Sequence, residues 1–261
     1  MCDLKIDILT IFPEMFKVPL SESIIGKARE SGLIEINIYN IRDFTVDKHR
    51  MTDDYPFGGG AGMIMKPEPI FAATEYIQKK MGEPADRVIL MTPQGKTLNQ
   101  GMVKALAEEH HIIIICARYE GVDERLRDAL VTDEISIGDY VLTGGELPAM
   151  VLVDAVTRFV PGVLSRDTLV NESFEKGVLD YPQYTRPRDF RGMIVPDVLI
   201  SGNHEKIRLW RKKQALTRTL SRRPDLLEKA SLDPEDYKLL RDIKSEQLSD
   251  LMREDPENEY D

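Results

Sequence analysis

A chain of 261 residues with 42% hydrophobic and 31% charged side chains can bury a full core as one or two ordinary globular domains. Its longest apolar run, Ile112–Ala117, is far short of a bilayer span, and Asp3, Asp7 and Pro13 break the start MCDLKIDILTIFPEMF, so neither a membrane helix nor a secretory leader is expected. The net charge of −10 argues at first against a nucleic-acid partner, and the only cysteines, Cys2 at a terminus expected to be mobile and Cys116 in an apolar run, predict free thiols and a cytoplasmic setting.

In chain order, Lys5–Phe12 alternates apolar and polar residues and predicts a strand that Pro13 ends. A helix ending near Gly32 precedes a second strand, Leu33–Tyr39. Arg87–Met91 and His111–Ala117 are dense apolar runs of the kind covered on both faces, with helical spacing over Leu98–Glu109 between them. Asp123–Leu130 and Glu146–Phe159 predict two more helices, the second stopped by Pro161-Gly162. Such alternation implies a mostly parallel, covered sheet. Leu164–Lys176 reads as a linker, and Pro182, Pro187 and Pro196 suggest extended turns. Asn203 caps a predicted helix, His204–Leu220, that buries Ile207, Trp210, Thr217 and Leu220 and stops at Pro224; short helices follow at Leu226–Lys229 and Pro234–Leu251. The expected plan is an α/β domain over 1–163, a linker over 164–178 and a helical domain over 179–261.

Three polar, glycine-bearing loops follow apolar strands: Thr92–Gly95, Arg118–Gly121 with Asp123–Arg125, and Gly138–Tyr140 with Thr143–Glu146. Each alone reads as a tight turn. At the carboxyl ends of one open sheet they would converge on a single crevice, where glycines let the backbone approach a flat ligand. Gly58 and Gly59, in FGGGAGM, fit a phosphate cradle or the approach of a base, and equally a flexible turn. Neither GxGxxG nor GxxxxGK[ST] is present, which removes support for a dinucleotide oxidoreductase or a nucleotide triphosphatase. The four histidines and two cysteines lack metal-ligand spacing.

The charge is unevenly placed. Residues 186–223 hold eleven Arg and Lys against three acids, so this stretch carries +8 and the remainder −18, while Glu246–Asp261 has seven acids. A local field of this kind suits phosphate, although a solvated helix face is the plainer reading.

The segments KIDILTIFPEMF, YPFGGGAGMIMKPEP, LMTPQGKTLNQ, CARYEGVDER, EISIGDYVLTGGELPAM, LDYPQYTRP and VPDVLISGNHEKIRLWRKKQALTRTLSRRPDLL together resemble the bacterial tRNA (guanine-N1)-methyltransferases of the knotted SPOUT class, over about Lys5–Leu227. The resemblance implies transfer of a methyl group from S-adenosylmethionine to N1 of the guanosine at tRNA position 37, next to the anticodon. It also implies a deep trefoil knot in the sheet domain, a homodimer with each site at the subunit interface, and dependence on Mg2+. Carried over by motif, the cofactor contacts are Pro93, Gln94, Gly95, Ala117, Ile137, Gly138, Asp139, Tyr140, Val141, Leu142, Gly144, Gly145 and Pro148. The family usually has glycine at the position of Ala117, and an aspartate as general base where this chain has Glu172.

N1 of neutral guanine carries a proton, so a carboxylate base at Glu172 and a guanidinium at Arg158, facing the charge that grows on the guanine carbonyl oxygen, are the expected catalytic pair. Tyr119 and Glu120, with Gly58 and Gly59, are expected at the target base and its neighbour, and Arg186, Lys212 and Lys213 at the tRNA backbone. Reaching a buried cofactor requires the base to leave its stack. The competing readings are a SPOUT enzyme acting at another RNA position and an RNA-binding protein that has lost transfer.

Overall fold

The computed structural model describes Leu4–Val170 and Glu172–Glu254; Cys2, Asn171 and the tail beyond Glu254 lie outside the described residues. The chain divides into two compact units, Met1–Ser165 and Arg166–Asp261. No helix of the described residues is long and apolar enough to cross a membrane.

The first unit runs β1 (Leu4–Thr10), α1 (Ser23–Glu30), β2 (Ile34–Asn40), β3 (Asp53–Asp54), β4 (Ile64–Met65), α2 (Pro67–Met81), β5 (Arg87–Thr97), α3 (Gln100–Ala107), β6 (His111–Cys116), α4 (Glu124–Ala129), β7 (Asp133–Ser136) and α5 (Glu146–Thr157). Five strands form one sheet in the order β2-β1-β6-β5-β7, and every pairing in it is parallel. All six residues of β6 are buried: Ile112, Ile114 and Cys116 join the core on one face, and Ile113 and Ile115 the core on the other. Each fully covered isoleucine stabilises the fold by roughly 1.5–3 kcal/mol, and coverage on both faces is why this strand has no alternation.

β1 departs from its expected polar face. Asp7 is fully buried, with one oxygen 2.7 Å from His111 Nε2 and the other accepting from Asn37 Nδ2 at 2.9 Å. The alternating polar residue is therefore internal and satisfied by its neighbouring strands. β5 also differs from expectation. It does not end at Met91: Met91 and Lys96 both lie opposite Ile135, so Thr92–Gly95 leaves the ladder and the strand resumes beside β7. Helix α2, which the sequence pattern does not predict, carries prolines at its first and third positions, where a missing N–H costs nothing.

The second unit contains α6 (Arg166–Val170), β8 (Asp189–Phe190), β9 (Met193–Ile194), α7 (Asp197–Ile200), α8 (His204–Arg222), α9 (Pro224–Leu227) and α10 (Pro234–Glu254). Part of the stretch read as a linker is thus helical, and the proline-rich stretch holds a two-strand hairpin whose turn residues, Arg191 and Gly192, both have positive φ. Asn203 caps α8 as expected, accepting from Lys206 N at 3.0 Å. The inward face is not the expected one. Ala215, Leu216 and Thr219 are buried, while Ile207, Trp210, Thr217 and Leu220 are only half-buried. The helix is flanked on two sides: α10 brings buried Ile243, and Leu179 N donates to Thr219 Oγ1 at 2.9 Å.

Carboxylates of α10 and the turn before it bind α8. Lys212 reaches Asp233, Glu235 and Asp236 at 2.7, 3.0 and 3.2 Å, and Arg208 reaches Glu235 at 2.7 Å. Burial pulls the Lys212 ammonium down, but its hydrogen bonds to the three carboxylates outweigh this and hold it above its ordinary value. The Lys212 hydrogen bond and the Asp236 N–H hold Asp233 at about 2; Arg208 and then Lys212 hold Glu235 at about 2. Both folded values lie below the ordinary carboxylate range, so this stabilisation is complete above about pH 4.5 and is lost as pH falls toward about 2. Acid unfolding of the helical unit, followed by circular dichroism, is expected to begin inside that window. The double variant Asp233→Asn, Glu235→Gln should flatten the pH dependence there, and an unchanged slope would remove these groups from the account.

Candidate cofactor cavity and active site

Parallel strands in the order β6-β5-β7 place three carboxyl ends side by side, and the three loops that follow Met91, Cys116 and Ser136 close on a cavity of about 210 Å³. Of the residues expected at the cofactor, Pro93, Gln94, Ala117, Ile137, Gly138, Tyr140, Val141, Leu142, Gly144, Gly145 and Pro148 lie on its wall. Gly95 and Asp139 do not. Gly95 faces the other way, onto β7: a Cβ there would lie 2.4 Å from Ile135 N, so only glycine fits between the two strands. Asp139 is exposed at the tip of its loop.

A buried polar network, with no counterpart among the residues expected from sequence, holds the loops together. Glu146, at the start of α5, is fully buried. One oxygen accepts from Thr10 Oγ1 at 2.8 Å and the other from Arg118 Nε at 2.8 Å. Arg118 also donates to the Thr143 carbonyl at 3.1 Å, and its guanidinium lies over the Phe12 ring at 4.4 Å. One guanidinium thereby joins the end of β1, the loop after β6 and the loop before α5. Gly145 N donates to the Ala117 carbonyl at 2.8 Å, and a Cβ on Gly145 would sit 2.8 Å from Cys116 Cα and 2.9 Å from Ala117 N. Both neighbours are backbone, so no side chain can be accommodated there without moving the loop. Burial, and then the charge of Glu146, push the Cys116 thiol well above its ordinary value, so this sulfur is neutral and packs as a small apolar group.

Ala117 has no positive φ, so its methyl group adds no backbone strain where the family usually has glycine. Tyr119, two residues on, does have φ of +59°, an unusual conformation for an aromatic residue, at the mouth of the cavity. Glu120 lines the cavity as well, and its N–H donates to the Met63 carbonyl at 3.0 Å while Met65 N donates to the Gly121 carbonyl at 2.9 Å. These bonds tie the end of the FGGGAGM segment to the RYEG loop. Gly58 and Gly59 lie earlier in that segment, exposed, with φ of +86° and +78°.

Arg158 caps the carboxyl end of α5 and is half-buried. Glu172, Arg186, Lys212 and Lys213 belong to the second unit. There Lys212 and Lys213 are engaged by their own chain, Lys212 by the carboxylates described above and Lys213 by Glu246 at 2.7 Å. The concentrated positive charge counted along the sequence is partly cancelled by acids that fold back onto it. Among the described residues no group of three or more His, Cys, Asp or Glu side chains is placed to hold a metal ion.

Glu146→Gln leaves the guanidinium of Arg118, 15% exposed, without its charge partner; the expected cost is on the order of 3 kcal/mol by denaturant titration. Gly145→Ala is expected to weaken binding of S-adenosylmethionine, the cofactor that the sequence resemblance implies, at least tenfold in calorimetry, and an unaltered affinity would mean that the loop packing does not shape the cavity.

A profile of the family described as tRNA (Guanine-1)-methyltransferase TrmD matches residues 4–229. Among curated proteins, the chain is 61% identical over 244 residues to the tRNA (guanine-N(1)-)-methyltransferase of Dictyoglomus turgidum, covering 93% of this chain and 98% of the relative. It is 60% identical over 241 residues to that of Moorella thermoacetica (92% and 96%) and 54% identical over 248 residues to that of Thermosipho africanus (95% and 100%). With the motif loops gathered around one cavity and a match that runs through both units, the chain belongs to the tRNA (guanine-1)-methyltransferase family.

Proposed function

We propose that the protein transfers a methyl group from S-adenosylmethionine to N1 of the guanosine at tRNA position 37, in the cytosol. The observation that carries this reading is the convergence of the three motif loops on one cavity in a chain of this family. The wall suits a flat nucleoside, since Gly138, Gly144 and Gly145 stand on it and glycine lets a ligand approach the backbone closely. Pro93, Gln94, Ala117, Ile137, Gly138, Tyr140, Val141, Leu142, Gly144, Gly145 and Pro148 are the proposed contacts, with Gly95 supporting the first loop from behind. S-adenosylmethionine supplies, when bound, a methyl group activated by its sulfonium.

This chain's residues supply the rest. Glu172 takes the N1 proton of guanine, freeing the lone pair that attacks. Arg158 faces the carbonyl oxygen on which negative charge then grows. Tyr119, Glu120 and the loop of Gly58 and Gly59 hold the flipped base and its neighbour. Positioning does much of the work, because methyl transfer is an in-line displacement. The proposed organisation is a knotted catalytic unit over 1–163, a base-carrying linker over 164–178 and an RNA-binding helical unit over 179–261. It works as a homodimer in which the linker of one protomer serves the partner's cavity. The family's dependence on Mg2+ finds no ligand set among the described residues, and no step here runs through it.

Mass spectrometry of tRNA transcripts with and without guanosine at position 37 tests the reaction; methylation that ignores this position overturns it. Glu172→Gln is expected to keep cofactor affinity while nearly abolishing single-turnover transfer, and Glu172→Asp to retain it. Arg158→Met should lower kcat on the order of a hundredfold. Single-turnover rates that do not change would remove either residue from the mechanism.

A further inference from the structure

The second unit has a hollow of its own, about 390 Å³, between the 181–188 segment and helices α7 and α8. Tyr181, Tyr184, Arg186, Arg188 and Arg211 line it over aliphatic Leu199, and none of its lining residues is acidic. The ion pairs within the unit decide which of its cations are available. Arg208, Lys212 and Lys213 are bound to the α10 region, and Arg188 holds Asp197 at 2.9 Å. Among the described residues the Arg211 guanidinium lies over the Tyr181 ring at 4.9 Å and makes no hydrogen bond or ion pair, and Arg186 makes none either. Two guanidiniums that the acids of the unit leave unpaired, Arg186 and Arg211, thus stand together at this hollow.

One aromatic ring is available as well. Tyr184 is 51% exposed, with the Trp210 ring beside it, 6.3 Å away and tilted at 54°, so about half of the side chain stays open to a ligand. A half-exposed phenol ring beside unspent guanidiniums matches an unpaired nucleotide, whose base stacks while its phosphate meets the fork of an arginine. A duplex presents no free base face, and a small anion would leave the rings unused.

We propose that this hollow holds one unstacked nucleotide of the RNA substrate, with its base against Tyr184 and its phosphate on Arg186 and Arg211. The site rests on the tRNA reading above and gives the second unit a contact with a single-stranded position other than the methylated guanosine.

The test uses the full chain, a tRNA transcript and a short single-stranded RNA of anticodon-loop sequence. Trp210 is the only tryptophan, so its fluorescence should change as the short RNA is added. Tyr184→Ala is expected to weaken tRNA binding about tenfold or more, with Tyr184→Phe close to the parent and S-adenosylmethionine affinity unmoved. Arg186→Ala should lower the slope of binding against salt by about one. Parental tRNA affinity in Tyr184→Ala overturns the proposal, as does its weakening through loss of a homodimer. If Tyr184→Ala fails to fold, Arg186→Ala decides, and an unaltered salt slope overturns the site. A parent chain that binds tRNA but transfers no methyl group overturns the reaction proposed above and leaves this site standing.

Discussion

The Glu146 carboxylate lies out of contact with water, with Thr10 on one oxygen and Arg118 on the other, and it sets the relation of the first unit's key loops. A buried charge is tolerated only when its partners are in place, so the end of β1, the loop after β6 and the start of α5 are all constrained by one carboxylate. Phe12 stacked on the Arg118 guanidinium completes the arrangement from the side of β1. The cavity owes its shape to this network as much as to the residues on its wall, because Thr143, Gly144 and Gly145 follow the position that Arg118 dictates.

The sheet supplies the rest of the geometry. β6 and β7 both pair with β5, and the departure of Thr92–Gly95 from the β5 ladder brings the first loop between the other two. Side-by-side carboxyl ends present backbone N–H and C=O groups toward a common point, which is where open α/β sheets bind ligands. Nothing in this wall needs a reactive side chain: the one buried thiol beneath it is neutral. In the proposed reaction, cofactor holding and proton handling are therefore separable tasks, the first assigned to the loops and the second to Glu172 and Arg158.

The helical unit shows why a linear charge count misjudges a binding surface. The basic stretch from Arg186 to Arg223 looks continuous along the chain. Folding then presents Asp233, Glu235, Asp236 and Glu246 to Arg208, Lys212 and Lys213. Exposed pairs of this type add little stability each, but they redirect the field, and two of the cations left over, Arg186 and Arg211, stand at the hollow beside Tyr184.

Much was legible before any coordinates. Strong, local signals carried it: the unbroken apolar run of β6, the Asn203 cap, and the polar, glycine-bearing loops after strands. The motif segments identified the family because their order and content are specific. Tertiary structure alone decided the strand order that turns three separate loops into one cavity, since pairing partners are distant in the chain and leave no periodic mark. It also decided that Asp7 is internal, that α8 buries Leu216 and Thr219 in place of the expected strip, and that Lys212 answers to its own chain's carboxylates. In each case the deciding contact joins residues far apart in sequence. Local patterning states what a segment can become, and only the packed neighbour determines which of its faces is used.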